Sequence, residues 1–296
     1  MALYLYSRAS ATALQNFNKN QLALENVYTR LSTGFRINSA KDDPAGLAIS
    51  NRLTSEINGY IQGNRNVQDG ISVAQTAEGA LDESKAMLQR IRTLAVQAAN
   101  GTNTTSDRAS IQAEIAQLSQ EITRIACKTT FAGSKLLSGV GAGSLLGKDG
   151  KITIQVSGHA GDVIKITGLS AGFTLSSMAE ASGADNQAFS TGKDGFCFDV
   201  SSQSKAQAVI ANVDKIINRV SSAQGTLGGV QMRFESVIRL NDTMRANTED
   251  ARSRIRDTDY AQEVSELSRL SVLSQLMPVM FKQINAQKQL ILSLLQ

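Results

Sequence analysis

Side chains capable of covalent or metal chemistry are sparse in this sequence. Two cysteines, Cys127 and Cys197, and one histidine, His159, are all that 296 residues supply. The cysteines are too few and too far apart for a disulfide framework, and a single histidine leaves no usual metal-ligand cluster. Each cysteine reads as a small buried hydrophobe. His159 falls in a turn between two alternating stretches and reads as a loop residue. There is no Gly-rich phosphate loop ending in Lys-Ser/Thr, no His-Glu-x-x-His, and no Ser/His/Asp set beyond what a Ser-rich chain holds by chance. These patterns predict no enzyme, no cofactor and no metal site. The chemistry that the sequence does carry is association.

Arg90, Leu94 and Gln97 fall on one helix face by their spacing, and arginine is a favoured interface anchor. Far more extensive are the apolar seams. Ala206, Val209, Val213, Ile216, Val220, Ala223, Leu227, Val230, Phe234, Val237, Asn241 and Met244 form a sustained heptad, apolar at every stop except Asn241. At about 1.5 Å per residue this segment would run roughly 58 Å, weakened only at Gly225, Gly228 and Gly229. Such a seam needs partner helices of similar length. Near the N-terminus, Leu3, Tyr6, Ser10, Ala13, Phe17, Asn20, Leu24, Val27 and Leu31 make a second seam, with polar interruptions at Ser10 and Asn20.

The last segment carries a third seam, Leu270, Leu273, Met277, Met280, Ile284, Gln287, Ile291 and Leu294, beside a neighbouring one of Val272, Leu276, Val279 and Leu290. It is apolar nearly all round, so other subunits or a membrane must cover it. The membrane reading is the weaker, because Lys282, Gln283, Asn285, Gln287, Lys288 and Gln289 break any continuous apolar span. Pro278 lacks the amide hydrogen that would bond the Ser274 carbonyl, which predicts a bend or local opening there.

These seams set the expected fold class: mainly α, a long-helix bundle with a small central β region. No Trp, only 5% aromatic residues and two Pro favour long helices over a compact mixed fold. The first helix should stop near Gly34, and a new one should start with Asp43 as N-cap and Pro44 at its first position, running to Asn100-Gly101. A third follows with Ile111, Ile115, Leu118, Ile122 and Ile125 on one seam. The period then changes. Ile152, Ile154 and Val156, a turn at Gly158 to Asp162, and Ile164 and Ile166 predict a hairpin, and Phe196, Phe198 and Val200 another strand. The Ser/Gly/Ala-rich stretch Ser170 to Gly195 reads as an exposed loop.

The formal net charge is +4. The arginines from Arg233 to Arg256 interleave with Glu235, Asp242, Glu249, Asp250 and Asp257, which reads as a salt-bridged solvated face and not as a nucleic-acid surface. The short apolar stretch from Ala2 meets Arg8 at once, and no run approaches transmembrane length. The expectation is a cytosolic protein, or one exported by a route that cleaves nothing, with no membrane insertion.

Particular runs carry a resemblance. Leu31 to Asp43 reads Leu-Ser-Thr-Gly-Phe-Arg-Ile-Asn-Ser-Ala-Lys-Asp-Asp, followed by Ala45 to Asn51, Asp69-Gly-Ile-Ser and Ala77-Glu-Gly-Ala-Leu. These resemble the N-terminal half of bacterial flagellin. Leu227-Gly, Arg233-Phe-Glu, Ala251-Arg-Ser-Arg-Ile and Asp259-Tyr-Ala resemble its C-terminal half. The resemblance implies a secreted, self-assembling structural subunit of the extracellular flagellar filament used for motility. It implies an inner coiled-coil polymerisation domain at 1–41 and 256–296, and a helical rod domain at 42–255 with a β/loop region at about 131–200 that replaces any larger outer domain. The alternative it leaves open is a hook-filament junction or cap-associated protein sharing the same terminal helices.

The resemblance also implies partners and sites. The partners are further copies of the chain, an export chaperone and export channel, filament cap and hook-junction proteins, and the vertebrate Toll-like flagellin receptor. Receptor contacts map to Gln89, Arg90, Leu94, Gln97 and Glu114. Leu292, Leu294 and Leu295 resemble terminal leucines read by cytosolic flagellin sensors. The polymerisation seam maps to Phe17, Leu24, Val27, Leu31, Leu270, Leu273, Met277, Met280, Ile284 and Ile291. Departures from the family pattern are the two cysteines, Pro44 where Ala is common, the run Met277 to Lys282, and Gln296 in place of the common terminal Arg.

Overall fold

Asp43 and Pro44 open the longest helix as their types require. The Asp43 carboxylate accepts the Gly46 N–H at 2.9 Å, and Pro44 occupies the first helical position, where no amide donor is needed. The structure is a computed structural model that describes residues 2–185, 188–192 and 195–294, with side chains at 8, 11–185, 188–190, 195–283 and 286. Its helices are α1 (Ala2–Thr33), α2 (Pro44–Ala98), α3 (Thr105–Lys128), α4 (Leu175–Ala181), α5 (Gln203–Arg256) and α6 (Tyr260–Leu294). Gly34, at φ +74°, stops α1, and its N–H returns to the Arg30 carbonyl. Thr104 and Asp107 form a reciprocal capping box on α3. Strands pair two by two and antiparallel: β1 (Thr130–Phe131) with β2 (Ser134–Lys135), β3 (Ile152–Gln155) with β4 (Val163–Ile166), and β5 (Phe189–Gly192) with β6 (Gly195–Phe198). The chain divides into two compact units, Met1–Ile57 with Arg245–Gln296, and Asn58–Met244.

In the second unit α2 and α5 run antiparallel. Polar rungs set their register: Arg92 pairs with Asp214, the Gln224 amide donates to Asp82, Gln231 to Glu78, and Asn241 to Asn64. Between the rungs the α5 seam is buried from Ala206 to Phe234 against Val67, Ala74, Ala77, Leu81, Leu88 and Ile91. The seam fades at its end, where Val237 is half-buried and Met244 exposed. Gly225, Gly228 and Gly229 do not interrupt α5. On α3 the stripe is turned from the expected one. Ala116, Ser119 and Ala126 are buried with Ile111, Ile115 and Ile122, while Leu118 and Ile125 are half-buried. Small residues allow the closest approach, so the larger ones sit at the margin.

The hairpin forms in the expected place, with Ile152 opposite Ile166 and Ile154 opposite Ile164. It lies directly on α2, because α2 presents Gly59 and Gly63 to it. A Cβ at Gly63 would stand 2.2 Å from the Val156 carbonyl oxygen, and one at Gly59 2.7 Å from the Gly158 Cα. Amides clasp the same edge: Asn66 donates to the Gln155 carbonyl at 3.1 Å and Asn241 to that of Val156 at 2.8 Å. His159 sits in the hairpin turn, where its backbone carbonyl accepts the Gln155 amide.

Ser170 to Gly195 is not an exposed loop. It contains α4 and β5, and Phe173, Leu175, Met178 and Ala188 are fully buried. Its apolar residues stand singly among Ser, Gly and Ala, so no period shows, yet each fills a core position. The Arg219 guanidinium lies 5.6 Å over the Phe173 ring. Pro278 stands inside α6, which runs on through it as one helix, and its missing amide hydrogen leaves the Ser274 carbonyl without the usual donor.

Glycine contacts on α2 predict opposite effects of one substitution. Gly63→Ala must push the hairpin off α2 and should lower stability by about 1 to 3 kcal/mol. Gly79→Ala meets nothing within 4 Å and should raise stability by about 0.5 to 1 kcal/mol. Chemical denaturation of the two variants checks both signs.

Candidate assembly interface

The first unit is built on the antiparallel pairing of α1 with α6. Leu24, Val27 and Leu270 are buried at its centre, with Ala23, Leu31 and Leu267 packed around them. Phe17 meets Phe281 edge to face at 6.5 Å, and Arg30 bonds Glu263 at 3.0 Å. Asn20, the polar interruption in the first heptad, is 5% exposed and donates to the Leu270 carbonyl at 3.2 Å. Of the remaining seam residues, Phe17, Leu273 and Met277 are half-buried. Met280 is 59% exposed and lines an open groove with Ala13 and Asn16 of α1. The side chains of Ile284, Ile291, Leu292 and Leu294, and the whole of Leu295, lie outside the described residues.

With α1 covering one side of α6, the other is left uncovered. Val272, Leu276 and Val279 are each more than half exposed. Leu276 and Val279 line an open groove of about 370 Å³ with Ala13, Asn16, Leu273, Met277, Met280 and Phe281. On α1, Leu14, Leu22 and Tyr28 are exposed as well. Apolar surface of this extent is an association surface.

Where the terminal helices meet the rest of this unit, the links bond each other. Phe35 bridges to Asp257, the Arg36 N–H donates to the Arg256 carbonyl at 2.7 Å, and the Thr258 N–H donates to that of Gly34 at 3.0 Å. The Arg36 guanidinium also caps the Ile255 carbonyl at 2.6 Å, and Arg256 lies 4.2 Å over the Phe35 ring. Sequence reasoning missed this clasp, since its partners stand at opposite ends of the chain and show no period.

The backbone N–H groups of Ser39 and Asn38 hold the Asp42 carboxyl below the usual carboxylate range. A carboxyl depressed in this way stabilises the link at pH above its unfolded value, and the contribution is lost as pH falls through its folded value. Acidification through that window should release the Asn38 and Ser39 amides to hydrogen exchange, and Asp42→Asn should abolish the pH dependence.

A second candidate surface lies in the second unit. Arg90 Nε and Nη2 both donate to Glu114 Oε1, at 2.9 and 2.8 Å, while Gln89 and Gln97 are exposed beside them. Leu94 does not join this face. It is 3% exposed and belongs to the core, because its position on α2 is rotated from Arg90 toward Ile91, Ala95 and Ala98. No group of three or more His, Cys, Asp or Glu that could hold a metal occurs among the described residues. Cys127 is half-buried, and the buried Cys197 thiol is 3.7 Å from the Ser190 carbonyl. Among the described residues no helix is long and apolar enough to cross a membrane.

Comparison with known proteins agrees with this architecture. Residues 6–142 match the bacterial flagellin N-terminal helical region, and residues 210–295 its C-terminal helical region. A flagellin of Halalkalibacterium halodurans is 38% identical over 95% of this chain and 93% of its own length. That of Bacillus subtilis is 38% identical over 97% and 98%. A Vibrio parahaemolyticus protein described as flagellar hook-associated shares the fold, with TM-score 0.55 and 17% identity over 73% of this chain and all of its own. Near-complete likeness at this identity is to flagellins, which favours the filament subunit over the junction alternative. The chain belongs to the bacterial flagellin family, a structural and non-enzymatic subunit that self-assembles into the flagellar filament used for motility.

Proposed function

We propose that 1–41 and 256–296 form the polymerisation domain and that 42–255 forms the rod, its β region at about 131–200. The observation that carries this is the uncovered apolar side of α6, Val272, Leu276 and Val279, on a helix whose opposite side is already paired with α1. A second copy supplies what one α1 cannot, cover for the outer side. Phe17, Leu24, Val27, Leu31, Leu270, Leu273 and Met277 hold the pair together, and Ile284 and Ile291 extend the same step.

Beyond self-assembly, we infer an extracellular filament fed by an export chaperone and export channel, and bounded by cap and hook-junction proteins. Support comes from family membership and from an apolar terminal helix that needs cover before assembly. For the Toll-like receptor the contact set becomes Gln89, Arg90, Gln97 and Glu114, with Leu94 supporting it from beneath. Leu292, Leu294 and Leu295 stand as a sensor motif on family grounds alone.

Two outcomes are expected. A chain lacking both 1–41 and 256–296 should remain helical and soluble yet form no filaments on seeded assembly; filaments from it would remove the domain assignment. Arg90→Ala should leave thermal stability nearly unchanged, since an exposed ion pair contributes about 0 to 1 kcal/mol. It should weaken receptor binding by about 2 kcal/mol, as expected for an arginine anchor. Equal signalling by variant and parent would discard the receptor contact.

A further inference from the structure

We propose that Met280, with Met277 beside it, is a methionine oxidation site that turns filament assembly off. The proposal rests on the reading of the α1 and α6 pair as the polymerisation domain. Met277 and Met280 flank Pro278 and line the open apolar groove with Leu273, Leu276 and Val279. Met280 is exposed and Met277 half-buried, so solvent oxidants reach the first directly. Elsewhere the consequences differ. Met178 is fully buried and Met87 half-buried within the core, while Met232 and Met244 are exposed on α5 in the other unit.

The oxidant is a hydroperoxide such as hydrogen peroxide. The thioether sulfur attacks the distal oxygen, the O–O bond breaks and an S–O bond forms. Sulfur loses two electrons, the peroxide gains them, and the second oxygen leaves as water. The product is a sulfoxide, polar and able only to accept hydrogen bonds. Among the described residues, the groove around Met280 offers aliphatic and aromatic surface and, beyond the Asn16 amide, no side-chain donor. Covering a sulfoxide there with a second subunit buries an unsatisfied acceptor, whereas covering the thioether buries apolar surface. The same modification on Met232 or Met244 places a polar group where water already sits.

The test oxidises full-length monomer with hydrogen peroxide, removes the peroxide with catalase, verifies sulfoxide by mass spectrometry, and measures seeded filament growth. Oxidised parent protein should lose growth by roughly tenfold or more. A methionine sulfoxide reductase should restore it. The M277L/M280L variant keeps apolar volume and should grow before and after oxidation, although its other methionines still react. M280Q, which places a polar group at the same point, should fail to grow with no oxidant present, and it decides the matter if M277L/M280L itself does not assemble. Undiminished growth of the oxidised parent, equal loss in M277L/M280L, or normal growth of M280Q overturns the proposal. Leu276→Asp separates the underlying reading: if that variant assembles normally, the face of α6 is not an assembly surface, whatever the methionines do.

Discussion

A helix that is apolar on two sides can have only one of them covered by a single partner helix, and this constraint orders the whole chain. On α5 it is met within the subunit, where the Ala206 to Phe234 seam is buried, and beyond the seam the helix carries surface ion pairs, Arg239 with Glu235, Arg245 with Glu249, and Arg254 with Asp250. On α6 it is not met. Leu270 faces α1, while Val272, Leu276 and Val279 face solvent. The ordering entropy of α6 is the same whether one side is buried or two, so the second side adds stabilisation with little further backbone cost. In the proposed polymerisation domain, assembly is thus the state in which this helix is most stable.

Much of this was legible from residue spacing because heptads report burial over many turns. The α5 seam, the start at Asp43 and Pro44, and the hairpin at Ile152 to Ile166 all rest on repeated signals. What was not legible depends on single residues. Phe173 and Met178 each occupy a core position without a neighbour in phase, so their stretch reads as loop. Leu94 lies close to Arg90 in helical angle, and only the placement of α3 and the central elements decides that the boundary between core and surface falls between them. Spacing therefore places the polar members of that face, Arg90 and Glu114, at the surface, but cannot show that Leu94 beside them is buried.

Polar residues inside the seams show how differently the two units are finished. Asn241 interrupts the α5 heptad but is satisfied, since its amide reaches both Asn64 and the Val156 carbonyl. It holds α2, α5 and the hairpin in one arrangement, and Gly59 and Gly63 make the close approach possible. Asn20 interrupts the α1 heptad and is satisfied only through its donor. Among the described residues its buried Oδ1 has no hydrogen-bond partner. An unsatisfied buried acceptor costs about 1 to 3 kcal/mol. The terminal pair is consequently the less complete of the two, with a polar atom unsatisfied on α1 and an apolar side uncovered on α6.

The ion pairs follow the same division. Arg30 with Glu263 and Arg90 with Glu114 have similar distances, 3.0 and 2.8 Å, yet they do different work. Glu263 is largely buried between α1 and α6, so removing Arg30 would strand a carboxylate away from water, and the pair fixes how those helices meet. Both members of the Arg90 pair are exposed, and solvent screens what they gain from each other. Two side chains held by two N–H donors on one carboxylate oxygen at so small a net gain are a preorganised surface. Their geometry is available to a partner without the fold depending on it, whereas the geometry of Arg30 and Glu263 is already committed to joining the two ends of the chain.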